Sequence, residues 1–214
     1  MQRLHPIRTL AEFLKAYDNG GYFWSLFSRP GDGLVTKGEV ARAAGRPAAD
    51  GFAVLHFEFL RSFLGEADRR EALARLEGKM RARHERHQPA STAPSRLEAE
   101  VGAGRSAIVT GFAAPAADPE KIGGTVTHMV LVGEAVIPMV QPLHALMSLY
   151  ELWDSPAKTG RSAVLAVPRK TRLLPGGLIR IAGTVQDLVP ESSRMGPWTK
   201  YLSGHLFAKE PATS

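Results

Sequence analysis

The sequence predicts an α+β chain: a helical domain over residues 1–87, a linker over 88–104 and a small antiparallel β-barrel over 105–214. Three observations carry this. Before residue 88, apolar residues recur at three-to-four spacing, the period of a helix with one buried face. Residues 88–96, QPASTAPSR, are polar and small with no apolar period, the composition of a connecting segment. After it, short β-branched runs alternate with Gly, Pro and Asp, as strands and turns do.

Residues 8–18, RTLAEFLKAYD, place Leu10, Phe13, Leu14 and Tyr17 at helical spacing, with Thr9 as cap and Asn19-Gly20-Gly21 as the stop. The aromatic run 22–27 predicts a second short helix packed on the first. Tyr22, Phe23, Trp24 and Phe27 are its candidate protein-contact residues. Pro30-Gly31-Asp32-Gly33 is turn chemistry, because glycine supplies positive φ and Asp bonds its own backbone. Thr36-Lys37-Gly38-Glu39 has the form of a capping box, with Val35 and Val40 at the spacing of a hydrophobic staple. A third helix follows over 36–44, closed by Gly45-Arg46-Pro47.

Residues 48–85 read as one or two more helices, with Phe52, Leu55, Phe59 and Phe63 on one face and a break at Gly65. Beyond it, 66–87 shows a narrow apolar stripe (Ala67, Leu73, Leu76, Met80) and a basic end from Lys79 to His87, suited to a helix C-terminus. His84 and His87 are read as exposed helix-end residues rather than as a metal pair.

Strands are expected at 106–113, 125–139, 149–153, 162–169, 178–189 and 200–209, with a helical turn within 144–149. Residues 178–185 alternate, with Ile179, Ile181, Gly183 and Val185 on one face. Gly133 and Gly183 mark bulges or tight bends, and Pro138 and Pro142 mark an edge or a strand end.

Two resemblances rest on short stretches. Ser28 to Glu39, SRPGDGLVTKGE, resembles a degenerate EF-hand loop, with Gly33 at the sixth position. That resemblance implies Asp32, Thr36 and Glu39 as calcium ligands, beside the Leu34 carbonyl. Pro30 and Ser28 stand where the pattern wants oxygens and a carboxylate, and the turn-and-cap reading of the same residues is preferred. Residues 174–185, LPGGLIRIAGTV, are similar to a strand entry of OB-fold barrels, although a β-sandwich would also accommodate them. An OB-like barrel implies single-stranded nucleic acid held by a basic groove and stacking aromatics. The candidates are Arg161, Arg169, Lys170, Arg172 and Arg180 with Trp153, Trp198 and Tyr201. The same residues would serve an acidic protein partner.

The formal net charge is +6, divided as +4 over residues 1–89 (15 basic against 11 acidic) and +2 over 90–214 (12 against 10). A spread excess of this kind favours acidic partners through long-range attraction. The chain has no cysteine, which excludes disulfides, thiolate metal sites and a cysteine nucleophile. Neither G-x-G-x-x-G, a P-loop nor a G-x-S-x-G elbow is present. His128 and Glu134 share a strand-like stretch, where an alternating polar face is the simpler reading. The expectation is therefore a non-enzymatic interaction or scaffold subunit without cofactor, docking on an acidic protein assembly. Such a profile is similar to that of basic linker proteins of large acidic complexes. Single-stranded nucleic-acid binding and calcium-responsive regulation are the alternatives. No secretory signal or membrane span is expected, which fits a cytoplasmic protein.

Overall fold

The computed structural model describes residues 1–21, 29–45, 49–132, 135–170, 174–188 and 197–210, with backbone only at 128, 130, 132 and 135. Two compact units emerge, Leu4–Ala90 and Met1–Arg3 with Ser91–Glu210. The fold class is α+β, and the second unit contains a closed five-strand barrel.

The helical unit holds α1 (Leu10–Tyr17), α2 (Lys37–Ala43), α3 (Asp50–Arg61), α4 (Glu66–Ala74) and α5 (Gly78–His87). Thr9 caps α1 by accepting from the Glu12 amide. Thr36 and Glu39 form the expected capping box on α2. The predicted helix over 22–27 lies outside the described residues, with Tyr22, Phe23, Trp24 and Phe27. The single helix expected after Gly65 is two. Val35 pairs with Leu76 in an isolated parallel bridge, with Val35 bonding the Arg75 carbonyl and the Glu77 amide, which interrupts the helix there. Glu77 then caps α5 through the Lys79 and Met80 amides. The buried core is aromatic: Phe13, Tyr17 and Phe57 pack with ring centroids 4.8 to 5.7 Å apart.

The β unit contains β1 (Gln2–Arg3), β2 (Ala90–Thr92), β3 (Ser106–Pro115), β4 (Thr125–Val132), β5 (Ala135–Pro142), β6 (Met147–Trp153), β7 (Ala163–Pro168), β8 (Leu178–Asp187) and β9 (Lys200–Lys209). The barrel runs β3–β6–β7–β9–β8 and closes back on β3. It was expected to be antiparallel, and four pairings are. The fifth, β7 with β9, is parallel. Strand direction cannot alternate all the way round a ring of five, so one parallel pairing is unavoidable. Extra strands add to this ring: β1 lies parallel to β9, with Gln2 opposite Leu206, and β2 sits beside β3. Residues 1–3 therefore belong with the barrel and not with the helices.

The expected alternation of β8 is present, with Ile179, Ile181, Gly183 and Val185 buried. Its register against β9 shifts between Ala182 and Gly183, the bulge that the glycine signalled. A side chain at Gly183 would run into the Ser203 carbonyl.

Two expectations are corrected. The stretch 88–104 is not a bare linker, because Pro94, Leu97 and Val101 are buried in the β unit. The Glu98 carboxylate holds it there, accepting from the Thr199 and Lys200 amides at 2.8 and 3.1 Å. Ser95 does the same against Asp154, by amide at 3.0 Å and by hydroxyl at 2.6 Å. Composition alone cannot reveal this, since its apolar residues are too few to show a period. The single strand expected at 125–139 is a hairpin, β4 paired antiparallel with β5, inserted between the first and second barrel strands.

Candidate functional site

The insertion between β3 and β6 builds two surfaces of opposite character. Its base is apolar and covered. Ile122 and Leu143 pack with Leu149, Val164, Ala166, Leu188 and Tyr201 in one cluster, joined by Val126, Met147 and Trp198. The outer side of β6 and β7 is thus sealed, and β7 is buried at every position from Ala163 to Val167.

Its outer part is apolar and open. Paired residues of an antiparallel ladder share a face. The pairs Thr127 with Val140, Met129 with Pro138 and Leu131 with Val136 therefore make one face of the hairpin. All six are exposed: Met129 65%, Leu131 70%, Val136 58% and Val140 62%, with Thr127 and Pro138 also open. Pro138 has no N–H, so its pair with Met129 is a non-hydrogen-bonded one and its nitrogen points away from β4. Alternation gives Pro142 the same orientation. The outer edge of β5 thus lacks donors at two places, the usual blunting of an edge strand. Among the described residues neither hairpin strand pairs with any other strand.

The basic and aromatic candidates are not brought together as a groove. Arg161 is ion-paired with Glu98, and Arg180 with Glu210 at 2.6 Å. Arg169 donates to the His144 carbonyl at 2.8 Å, and Lys170 is exposed. Tyr201 is buried in the apolar cluster, and Trp198 packs against it while donating to the Ser162 carbonyl at 3.0 Å. Trp153 is half-buried at the end of β6. Arg172 lies outside the described residues, as do Gly133 and the side chains of His128 and Glu134.

In the helical unit, Asp32, Thr36 and Glu39 serve the backbone. The Glu39 carboxylate is fully buried and accepts from the Gly20 amide at 2.7 Å and the Thr36 amide at 2.8 Å. Burial pushes its pKa up, against the lowering effect of those amide bonds. Asp32 accepts from the Leu34 amide in its own turn at 2.9 Å. Asp18, which the loop pattern does not include, accepts from the Gly31 and Gly33 amides at 2.7 and 2.8 Å. Carboxylate oxygens engaged in this way hold the loop shut, which is what the turn-and-cap reading requires.

A buried polar cluster lies between α1, α3 and α5, and sequence reasoning missed it. The Tyr17 hydroxyl donates to the His56 carbonyl at 2.9 Å and lies 2.7 Å from His56 Nδ1. One hydroxyl carries one proton, so Nδ1–H must be the donor in that second bond. The imidazole is then neutral, with Nε2 lacking a partner. Burial pushes its pKa down to about 4. Burial also holds Tyr17 far above its ordinary value, helped by the charge on Glu58. Glu58 accepts from His84 Nε2 at 2.6 Å and from both Arg61 nitrogens at 2.8 Å. Burial disfavours its charge, but these bonds outweigh it and hold the carboxyl below the ordinary range. His84 was expected to be exposed. It is buried because its position on α5, four residues after Met80, faces the core. A helical-wheel count from Met80 would have found it.

The exposed charged positions of α5 are mostly basic: Lys79, Arg81, Arg86 and His87, beside one acid, Glu85. Arg81 and Arg86 bond only backbone carbonyls, Ala74 and Ala82. Among the described residues no carboxylate pairs with Lys79, Arg81 or Arg86, whereas Arg83 is tied to Asp50 at 3.0 Å. No described helix is long and apolar enough to cross a membrane. No family model matches the chain, and no curated protein matches it.

Proposed function

We propose that the chain is a non-enzymatic interaction module that docks on an acidic protein assembly. The observation that carries this is the set of exposed cations on α5, Lys79, Arg81 and Arg86, which have no ion pair among the described residues. Cations without carboxylate partners keep their full field and attract an acidic surface over about a Debye length. Of the basic residues first suspected on the barrel, Arg161 and Arg180 are paired with Glu98 and Glu210, whereas Arg169 bonds a carbonyl and Lys170 is exposed. The titratable groups in the core are buried, Tyr17 bonded to His56 and Glu58 to His84 and Arg61, which suits a structural role.

Single-stranded nucleic acid is the second reading. The strand order, first to second to third to fifth to fourth with a parallel third–fifth pairing, supports an OB-like barrel. Such barrels bind strands on the face of their second and third strands and on the flanking loops. Here that face is β6 and β7, sealed by Ile122, Leu143 and Leu188. Two of the aromatics that would stack on bases, Trp198 and Tyr201, are packed into that seal. Protein docking is therefore favoured.

The test is co-purification of the tagged chain with and without nuclease, beside Lys79→Glu/Arg81→Glu/Arg86→Glu. A nuclease-resistant protein partner, weakened by salt and lost in the triple variant, supports the proposal. Loss of every partner on nuclease treatment overturns it in favour of nucleic acid. Full retention by the triple variant overturns the role of α5.

A further inference from the structure

We propose that the exposed face of the β4–β5 hairpin packs against the same face of a second copy of this chain, making a two-fold symmetric dimer. This goes beyond the docking proposal and does not rest on it, since it uses a different surface and a different chemistry.

A two-stranded hairpin in water is marginal unless a third strand or a packing layer supports it. Here the base is supported through Val126, but the face made by Thr127, Met129, Leu131, Val136, Pro138 and Val140 is not, and it is more open than the opposite face, where Ile137 and Met139 are 44% and 40% exposed. Scattered exposed apolar residues need no explanation, but a contiguous face does.

Charge decides which occupant fits. Between residues 125 and 142 the only formally charged residue is Glu134. An acidic protein or a phosphate backbone would find no cation on this face. A lipid bilayer is also a poor host. It would receive unpaired strand edges along β4, and backbone groups without partners are costly in hydrocarbon. A second copy meets the requirements. The face is self-complementary in character, apolar against apolar, so two chains of net charge +6 meet through a neutral patch.

Area supports the same occupant. The six side chains present on the order of 500 Å² of mostly apolar surface, toward the upper end of what a monomer leaves open. Two such faces together remove about 1,000 Å² from water, the lower limit for a specific interface. Packing is sheet on sheet, with the two hairpins about 10 Å apart. One face used against itself closes at two copies and does not propagate.

The experiment is sedimentation velocity on the full chain from low to high micromolar concentration. The wild type is expected to shift from the 23.2 kDa monomer to twice that mass. Leu131→Asp/Val140→Asp should weaken association at least tenfold, with unchanged circular dichroism because both positions are exposed. The chain has no cysteine, so Met129→Cys offers a second readout. It should cross-link under mild oxidation, whereas Lys158→Cys, an exposed site away from the hairpin, should not. A wild type that stays monomeric at high micromolar concentration overturns the proposal. So does a double variant that dimerises as the wild type does, which would place the contact on the strand edge or elsewhere.

Discussion

Lowering the pH from neutral to 5 should destabilise the helical unit through His56 alone by about 2 kcal/mol. The imidazole is held neutral at a folded pKa of about 4 against 6.5 for an exposed histidine. Between those values the unfolded chain binds a proton that the folded chain refuses. Stability is therefore present in full above pH 6.5 and is lost progressively as the pH falls toward 4. The whole shift corresponds to roughly 3 kcal/mol, and about two thirds of it is spent by pH 5, before most carboxylates titrate. No neighbour rescues the proton. Tyr17 faces the ring and keeps its own proton throughout this range, and the other close rings are Phe52 and Phe57. The assay is urea unfolding followed by helical circular dichroism at a series of pH values, in the wild type and in His56→Gln. Gln cannot take a charge, so the difference between the two pH slopes isolates His56 from the other histidines. A profile flat from pH 7 to 5, or an equal slope in the variant, would refute the reasoning.

Three further outcomes follow from the geometry. Excess calcium should leave the melting temperature unchanged, since a ligand that binds only the folded state must raise it; a rise that disappears in Glu39→Gln would restore the calcium reading. That variant by itself should cost about 1–3 kcal/mol, because one of the Gly20 and Thr36 amides loses its acceptor. Gly111→Ala places a methyl 2.6 Å from Pro94 Cγ and 2.8 Å from the Trp153 carbonyl oxygen. It should destabilise the barrel by about 1–3 kcal/mol through overpacking, read by thermal melting. No loss would mean that the segment 88–104 does not pack on β3.

Local signals in the sequence were reliable where the cause was local. The capping box at Thr36, the cap at Thr9, the period of β8 and the bulge at Gly183 all depend on residues a few positions apart. What was not legible depended on distant partners. Nothing near Glu98 says that it will meet the Thr199 and Lys200 amides about a hundred residues away. Nothing near Arg180 announces Glu210. Trp198 and Tyr201 look like stacking aromatics until Ile122 and Leu143 are seen to cover them. The hairpin was missed for a different reason. Its two strands are so uniformly apolar that Gly133-Glu134 read as an irregularity inside one strand, and the open face they share is defined only by the register.

The insertion between β3 and β6 relocates the surface that a barrel of this kind has to offer. Its base spends the outer side of β6 and β7 on internal packing. Its outer strands carry apolar residues one layer further from the barrel, without a cation among them. Lys79, Arg81 and Arg86, exposed and without an ion pair among the described residues, lie on α5 in the other unit. The two proposed contacts differ in chemistry, and salt would separate them. Screening shortens the reach of Lys79, Arg81 and Arg86, so an acidic partner should be released as ionic strength rises. Apolar association does not weaken in this way, and sulfate strengthens it by exclusion from the surface. A dimer that survives the salt at which the partner leaves would assign the first contact to the hairpin and the second to the helix. Joint loss of both would mean that a single charged surface carries them, against the neutrality of residues 127–132 and 136–140.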